Sequence, residues 1–269
     1  MNTKMFLGIA AVVCCGAVST ALADVAAKVE LTSGTVVEGK LRWMPASKKY
    51  ALTRMAGGAA IEQQVSPSEI ARKQVAPPPG WRDLVQLASK SPDAALPKLL
   101  QVIDEYKMLE FDEQAAYYAG SIYLSKGKPL DVIKICEAVA LDNPSAAAVS
   151  PMAPVYWDAL IATDKTAGGK LGKMLDEAVA SAPRPVAAKA LIARGDMLKK
   201  AGKTQDALKD GYLRCIFLYA QEKNAQAEAL YKASVAFDEL RQATYADRMR
   251  QNLLSLHKDS EYARKLRGN

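Results

Sequence analysis

Three prolines and a glycine, Pro77-Pro78-Pro79-Gly80, divide the chain into two parts that no regular element can bridge. Proline fixes φ at about −65° and supplies no backbone N–H. A run of three therefore favours an extended segment that neither a sheet interior nor a helix absorbs. The hydrophobic period also changes here, so residues 77–80 are expected to be a hinge between domains. Upstream, residues 24–76 alternate with period two. Lys28 to Leu31 is followed by a Ser33-Gly34 turn, and Thr35 to Trp43 keeps Val37, Leu41 and Trp43 on one phase. Tyr50 to Met55, Ala59 to Val65 and Ile70 to Val75 supply three more candidates, with Gly57-Gly58 turning between the first two. Five such strands in about fifty residues predict a small, strongly bent, all-β barrel.

Downstream, residues 81–269 read with a helical period. Helices are predicted at 92–107, 111–126, 129–141, 153–163, 170–181, 185–200, 204–220, 224–241 and 245–257. Ser91-Pro92-Asp93 starts one, Lys126-Gly127 ends another, and Gly202-Lys203-Thr204 links two. Helical hairpins on short loops over so long a segment predict a mainly α protein built as an α-solenoid.

Two resemblances refine this division. Val29 to Leu41, with Gly34 in a hairpin turn and Gly39 inside the following strand, resembles the opening of Sm-like and related small β-barrels. The helical part resembles degenerate tetratricopeptide (TPR-like) repeats over about residues 90–265. Its best copy spans 113–146, with Gly120 where paired helices approach, Tyr123 between helices, Gly127 at the turn and Pro144 at the close. A second copy spans 152–185, and others start near Ala188 and Gln226. The small residues Gly120, Ala159, Gly195 and Ala233 recur at intervals of 39, 36 and 38. The usual period is about 34, and longer loops are expected to hold the excess. The first-helix tryptophan is absent from every copy, and Gly211-Tyr212 sits one residue out of phase in the third. The last two copies look most like repeats of bacterial envelope proteins that coordinate outer-membrane assembly and cell-wall remodelling.

The N-terminus fits that setting. Lys4 precedes an uncharged, mostly apolar stretch from Met5 to Val18, and Ala21-Leu22-Ala23 gives the small-x-small pattern of a signal-peptidase site. Residues 1–23 therefore read as a signal peptide, with Asp24 first in a periplasmic or secreted chain. The formal charge of +7 falls to about +6 without Lys4, which suits weak attraction to anionic envelope surfaces.

Signs of chemistry are few. His257 is the only histidine and has no evident nucleophile beside it. Cys136 and Cys215 lie inside apolar helical patterns, in different repeats, and are expected to remain unbridged. The pairs Asp104-Glu105, Asp112-Glu113, Asp176-Glu177 and Asp238-Glu239 read as solvated helix faces, and Gly168-Gly169-Lys170 lacks the Ser/Thr of a phosphate loop. No enzyme, metal or cofactor is expected.

A repeat array instead offers the inner face of its first helices. The expected contact residues are Gln114, Tyr117 and Ser121 in the first copy, Lys189, Ile192, Asp196 and Lys199 in the third, and Leu230, Ser234 and Phe237 in the fourth. Their mixed chemistry suits an envelope protein or peptide. The rival reading is direct binding to an anionic envelope surface, cell-wall polymer or lipid. Nucleic acid is not expected, since no run of exposed aromatics interleaved with arginine is present.

Overall fold

The computed structural model describes residues 22–165 and 169–268, so the expected signal peptide lies almost wholly outside the described residues. The chain is mostly helical, with a five-stranded antiparallel sheet near its N-terminus.

The strands are β1 (Val25–Leu31), β2 (Val36–Met44), β3 (Lys49–Ala56), β4 (Ala59–Val65) and β5 (Ile70–Val75), in the order β4-β3-β2-β1-β5. Period-two alternation puts Val25, Ala27 and Val29 of β1 inside, and Ala26, Lys28 and Glu30 outside. Leu41, Trp43, Tyr50, Leu52 and Val65 are buried with them. Trp43 and Tyr50 are register partners, with ring centroids 4.9 Å apart in an edge-to-face pair. Gly39 is required where β2 meets the backbone of β3: a Cβ there would lie 2.2 Å from the carbonyl oxygen of Thr53.

The sheet is open, which corrects the expected barrel. β4 and β5 form its two edges. In β4 only Val65 is buried, and Ile61 stays 44 % exposed, so the outer part of this edge strand is left open to solvent.

The residues after the proline run do not leave the sheet free to swing. Pro78 is buried, and one continuous core runs from Val29 and Leu41 in the sheet to Leu99 and Leu109 in the helical part. The junction is the turn between α2 (Pro92–Glu105) and α3 (Phe111–Ser125), preceded by α1 (Trp81–Lys90). The Met108 carbonyl accepts hydrogen bonds from Tyr50 Oη and Lys73 Nζ, both at 2.8 Å. Met108 and Glu110 both have positive φ, 61° and 71°. Non-glycine residues rarely adopt this conformation. The Asp112 carboxylate fixes the turn from within, since its Oδ2 accepts the Met108 N–H at 2.8 Å.

The remaining helices are α4 (Pro129–Asp142), α5 (Ala146–Val149), α6 (Ala153–Ala162), α7 (Lys170–Ser181), α8 (Arg184–Lys200), α9 (Thr204–Asp206), α10 (Leu213–Leu218), α11 (Lys223–Glu239), α12 (Ala243–Leu256) and α13 (Glu261–Arg267). α3 packs on α4, α8 on the α9–α10 segment, and α11 on α12. α3 also meets α6, α6 meets α8, and α8 meets α11. Buried alanines line these helices, among them Ala116, Ala119, Ala159, Ala190 and Ala229. Gly120 is tighter still: a Cβ there would lie 2.8 Å from Val155 Cγ2 of α6.

Two local departures fall where the spacing of the small residues is irregular. The turn α5, unforeseen in the sequence, fills part of the 39-residue interval between Gly120 and Ala159. α7 packs chiefly on α5 and α8 rather than on α6, so residues 152–185 do not close as the simple hairpin expected. Between α9 and α10, Ala207–Tyr212 is π-helical. A π turn takes in an extra residue, and it absorbs the phase slip seen at Gly211-Tyr212. The result seats Tyr212, fully buried, against Gly195 of α8.

Candidate functional site

The cleft of interest is built from helix beginnings. Proline is tolerated in the first turn of a helix, where its missing N–H would have no partner anyway. α6 and α8 use it there, at Pro154 and Pro185. Together with Pro151, Pro183, Val186 and Tyr117 these rings line a cleft of about 780 Å³, bordered by the start of α11. A second cavity of about 400 Å³ adjoins it and shares Tyr117, Pro154 and Lys189. The two make one groove across α3, α6, α8 and α11.

Four of the residues expected from sequence meet here: Tyr117, Ser121, Lys189 and Ile192 line the inner cavity. Tyr117 is 38 % exposed, whereas Ile192, at 2 %, forms floor rather than rim. Ser121 turns its hydroxyl back to the Tyr117 carbonyl at 2.8 Å. Gln114 is half-buried on α3, outside the residues lining either cavity. Lys199 lies farther along α8, paired with Glu239 at 2.8 Å. The three expected contacts on α11 belong to the interior. Leu230 packs with Leu253 and Ala263, Ser234 is 1 % exposed and bonds the Tyr231 carbonyl, and Phe237 stacks on Tyr245 at 5.4 Å. The apolar period that marked Leu230 and Phe237 was that of the face α11 turns to its neighbours.

The inner cavity carries a charge network that the sequence reading did not assemble. Lys232 reaches Asp196 at 2.5 Å and Glu228 at 2.8 Å, and Lys189 also pairs with Glu228. Tyr212 Oη donates to Asp196 Oδ1 at 2.8 Å. Desolvation alone would lower the Lys232 pKa, but Asp196 and Glu228 outweigh it and hold the ammonium well above its ordinary value. For Glu228, burial pushes upward, while Lys232 and Lys189 prevail and lower its pKa. The two lysines thus answer Asp196 and Glu228.

Asp158, on α6, is the carboxylate left over. It lines the same cavity and makes no ion pair or hydrogen bond among the described residues. Its side chain is open to solvent yet set deep among its neighbours, whose desolvating mass raises its carboxyl to about 6 against the pull of Lys232. One sequence signal pointed this way: Glu228 and Lys232 stand at i and i+4, which places both on one helix face. Nothing local pointed to Asp158, because its partners in space are distant in the chain.

Among the described residues no helix is long and apolar enough to cross a membrane, and no three side chains form a metal-binding cluster. His257, half-buried after the end of α12, has its pKa lowered by burial and by Lys223. No protein-family model, curated protein or solved structure matches this chain.

Proposed function

We propose that the protein is an exported, non-enzymatic scaffold that holds an envelope protein or peptide against the first helices of a degenerate TPR-like array. The small β module is a fixed flank of that array. The observation that carries the reading is the groove itself, which crosses α3, α6, α8 and α11 and combines an apolar, proline-lined cleft with a charged inner cavity. Apolar walls with a few placed charges are what a recognition cleft for an extended segment requires. The array is supported by the contacts among alternate helices and by the small residues that let them approach. Export rests on the sequence of residues 1–23 alone. What supports the Sm-like resemblance is the hairpin turn at Gly34, which takes φ 83°, and the close backbone approach that holds glycine at 39; the sheet itself is open.

A photo-reactive residue placed at Tyr117 tests the proposal in cells. Cross-links from position 117 to another envelope protein are expected. They should be absent from Leu141, which is 76 % exposed on α4 and outside the groove. Equal capture at both positions, or none at 117, would overturn it.

A further inference from the structure

We infer that the groove selects a partner segment carrying a lysine or arginine, whose cationic head pairs with Asp158 while its apolar neighbours lie in the proline-lined cleft. This rests on the reading of the groove as a docking surface and adds the chemistry of what docks. The argument is one of charge complementarity. The chain as a whole is basic, at +7, so its surface repels cationic partners in general. Inside the groove the balance reverses. Lys189 and Lys232 are engaged by Glu228 and Asp196, and Tyr212 adds a hydrogen bond to Asp196. Glu261 at the cavity edge has its own cation in Lys265, at 2.6 Å. Among the described residues, Asp158 is the inner cavity's carboxylate without an ion-pair partner.

An arriving ammonium or guanidinium would meet a solvent-accessible carboxylate that has no ion-pair partner among the described residues, set in a concave site where a charge-assisted hydrogen bond can form. In the inner cavity an acidic segment would set its carboxylate against Asp158, with Lys189 and Lys232 already committed to Glu228 and Asp196; Lys223 borders only the outer cleft, at the start of α11. The adjoining cleft adds apolar and aromatic surface: Pro151, Pro154, Pro183 and Pro185 beside Tyr117. The expected segment therefore places a cationic residue next to prolines or aliphatics in an extended stretch.

The probe is a library of random-sequence peptides displayed on phage, panned against the purified protein and against Asp158→Asn. The best peptides are then made with arginine or with its neutral analogue citrulline. Enrichment of lysine or arginine beside apolar residues is expected on the parent protein and not on the variant. Citrulline should weaken binding to the parent about tenfold and leave binding to the variant nearly unchanged. Asp158 makes no internal bond among the described residues, so the variant should keep the parent's melting temperature and helicity. Enrichment of neutral or acidic peptides, an unchanged cationic preference in Asp158→Asn, or no enrichment at all would overturn the inference. Cross-linking at Tyr117 reports on the groove separately: a captured partner that lacks a cationic contact would sink this inference and leave the docking surface standing.

Discussion

Replacing Gly195 by alanine places a methyl group where the structure has no room for one. The added Cβ would lie 2.4 Å from Tyr212 Cε1 and 2.6 Å from its Cδ1, against an optimum of about 3.5–4.0 Å between carbons. The ring cannot turn aside, because Tyr212 is fully buried and its hydroxyl is held by Asp196 at 2.8 Å. Overpacking of this kind destabilises by about 1–3 kcal/mol. Any shift of the ring also weakens a hydrogen bond to a charged group, worth about 1.5–3 kcal/mol. Against this stands the gain of about 1 kcal/mol when alanine replaces glycine inside a helix. The expected net loss is about 2 kcal/mol, which lowers Tm by about 4–8 °C in a chain of this size. Gly172→Ala in α7 is the matched control, since its Cβ would meet nothing within 4 Å among the described residues. That variant should gain about 0.5–1 kcal/mol. Thermal melts followed by circular dichroism compare the two directly. If Gly195→Ala is as stable as Gly172→Ala, the close approach of α8 to the π-helical stretch is not what fixes glycine at position 195.

The junction between sheet and helices should depend on pH in a stated direction. Burial raises the Asp112 carboxyl to about 6 although the Met108 N–H opposes it, and burial, then the charge of Asp112, raises Glu113 to about 7. Both groups bind protons more tightly folded than unfolded, so their penalty is full above about pH 7 and is relieved as pH falls through 7 and 6 toward the ordinary carboxylate range. Asp112 Oδ1 is buried without a partner, and Asp112→Asn should therefore raise Tm at pH 8 and flatten the slope between pH 8 and 5; an unchanged slope would refute the assignment. Cys136 and Cys215 are both buried and unbridged, and burial pushes each thiol up to about 12. Thiol titration should find neither reactive in the native protein and two for residues 24–269 once denatured; a monomer that yields none would contradict this.

Much of the architecture could be read from the chain because its signals are local. Val37, Leu41 and Trp43 share one phase, and β2 to β5 lie within a residue of where the alternation placed them, whereas β1, expected from Lys28, begins at Val25. Closure of the sheet could not be read this way, since it depends on whether β4 and β5 find each other, and no pattern within either strand decides that. The small residues Gly120 and Gly195 marked real points of close approach. The displaced Gly211-Tyr212 was a faithful sign of irregularity whose form, a π-helical stretch, only the structure supplies. α5 escaped notice because Ala146–Val149 is a single turn, too short for a period to register. In the groove, Tyr117 and Lys189 could be projected from the spacing of one helix. Asp158 could not, because a lone carboxylate on a helix reads as solvated until α8 and α11 are set beside it. Leu230 and Phe237 show the converse: apolar residues projected onto an inner face were consumed by packing among the helices.

The measurement that bears most directly on groove binding is hydrogen–deuterium exchange of the protein, alone and in complex with the partner captured at Tyr117. Slower exchange is expected in the first turns of α6, α8 and α11 and along α3 near Tyr117, the segments that line the groove. The outer segments α4 and α12 should exchange as before. Protection confined to the edge strand β4, or to α10 with its exposed Phe217 and Leu218, with no change at α6 and α8, would contradict the assignment and move recognition to another surface.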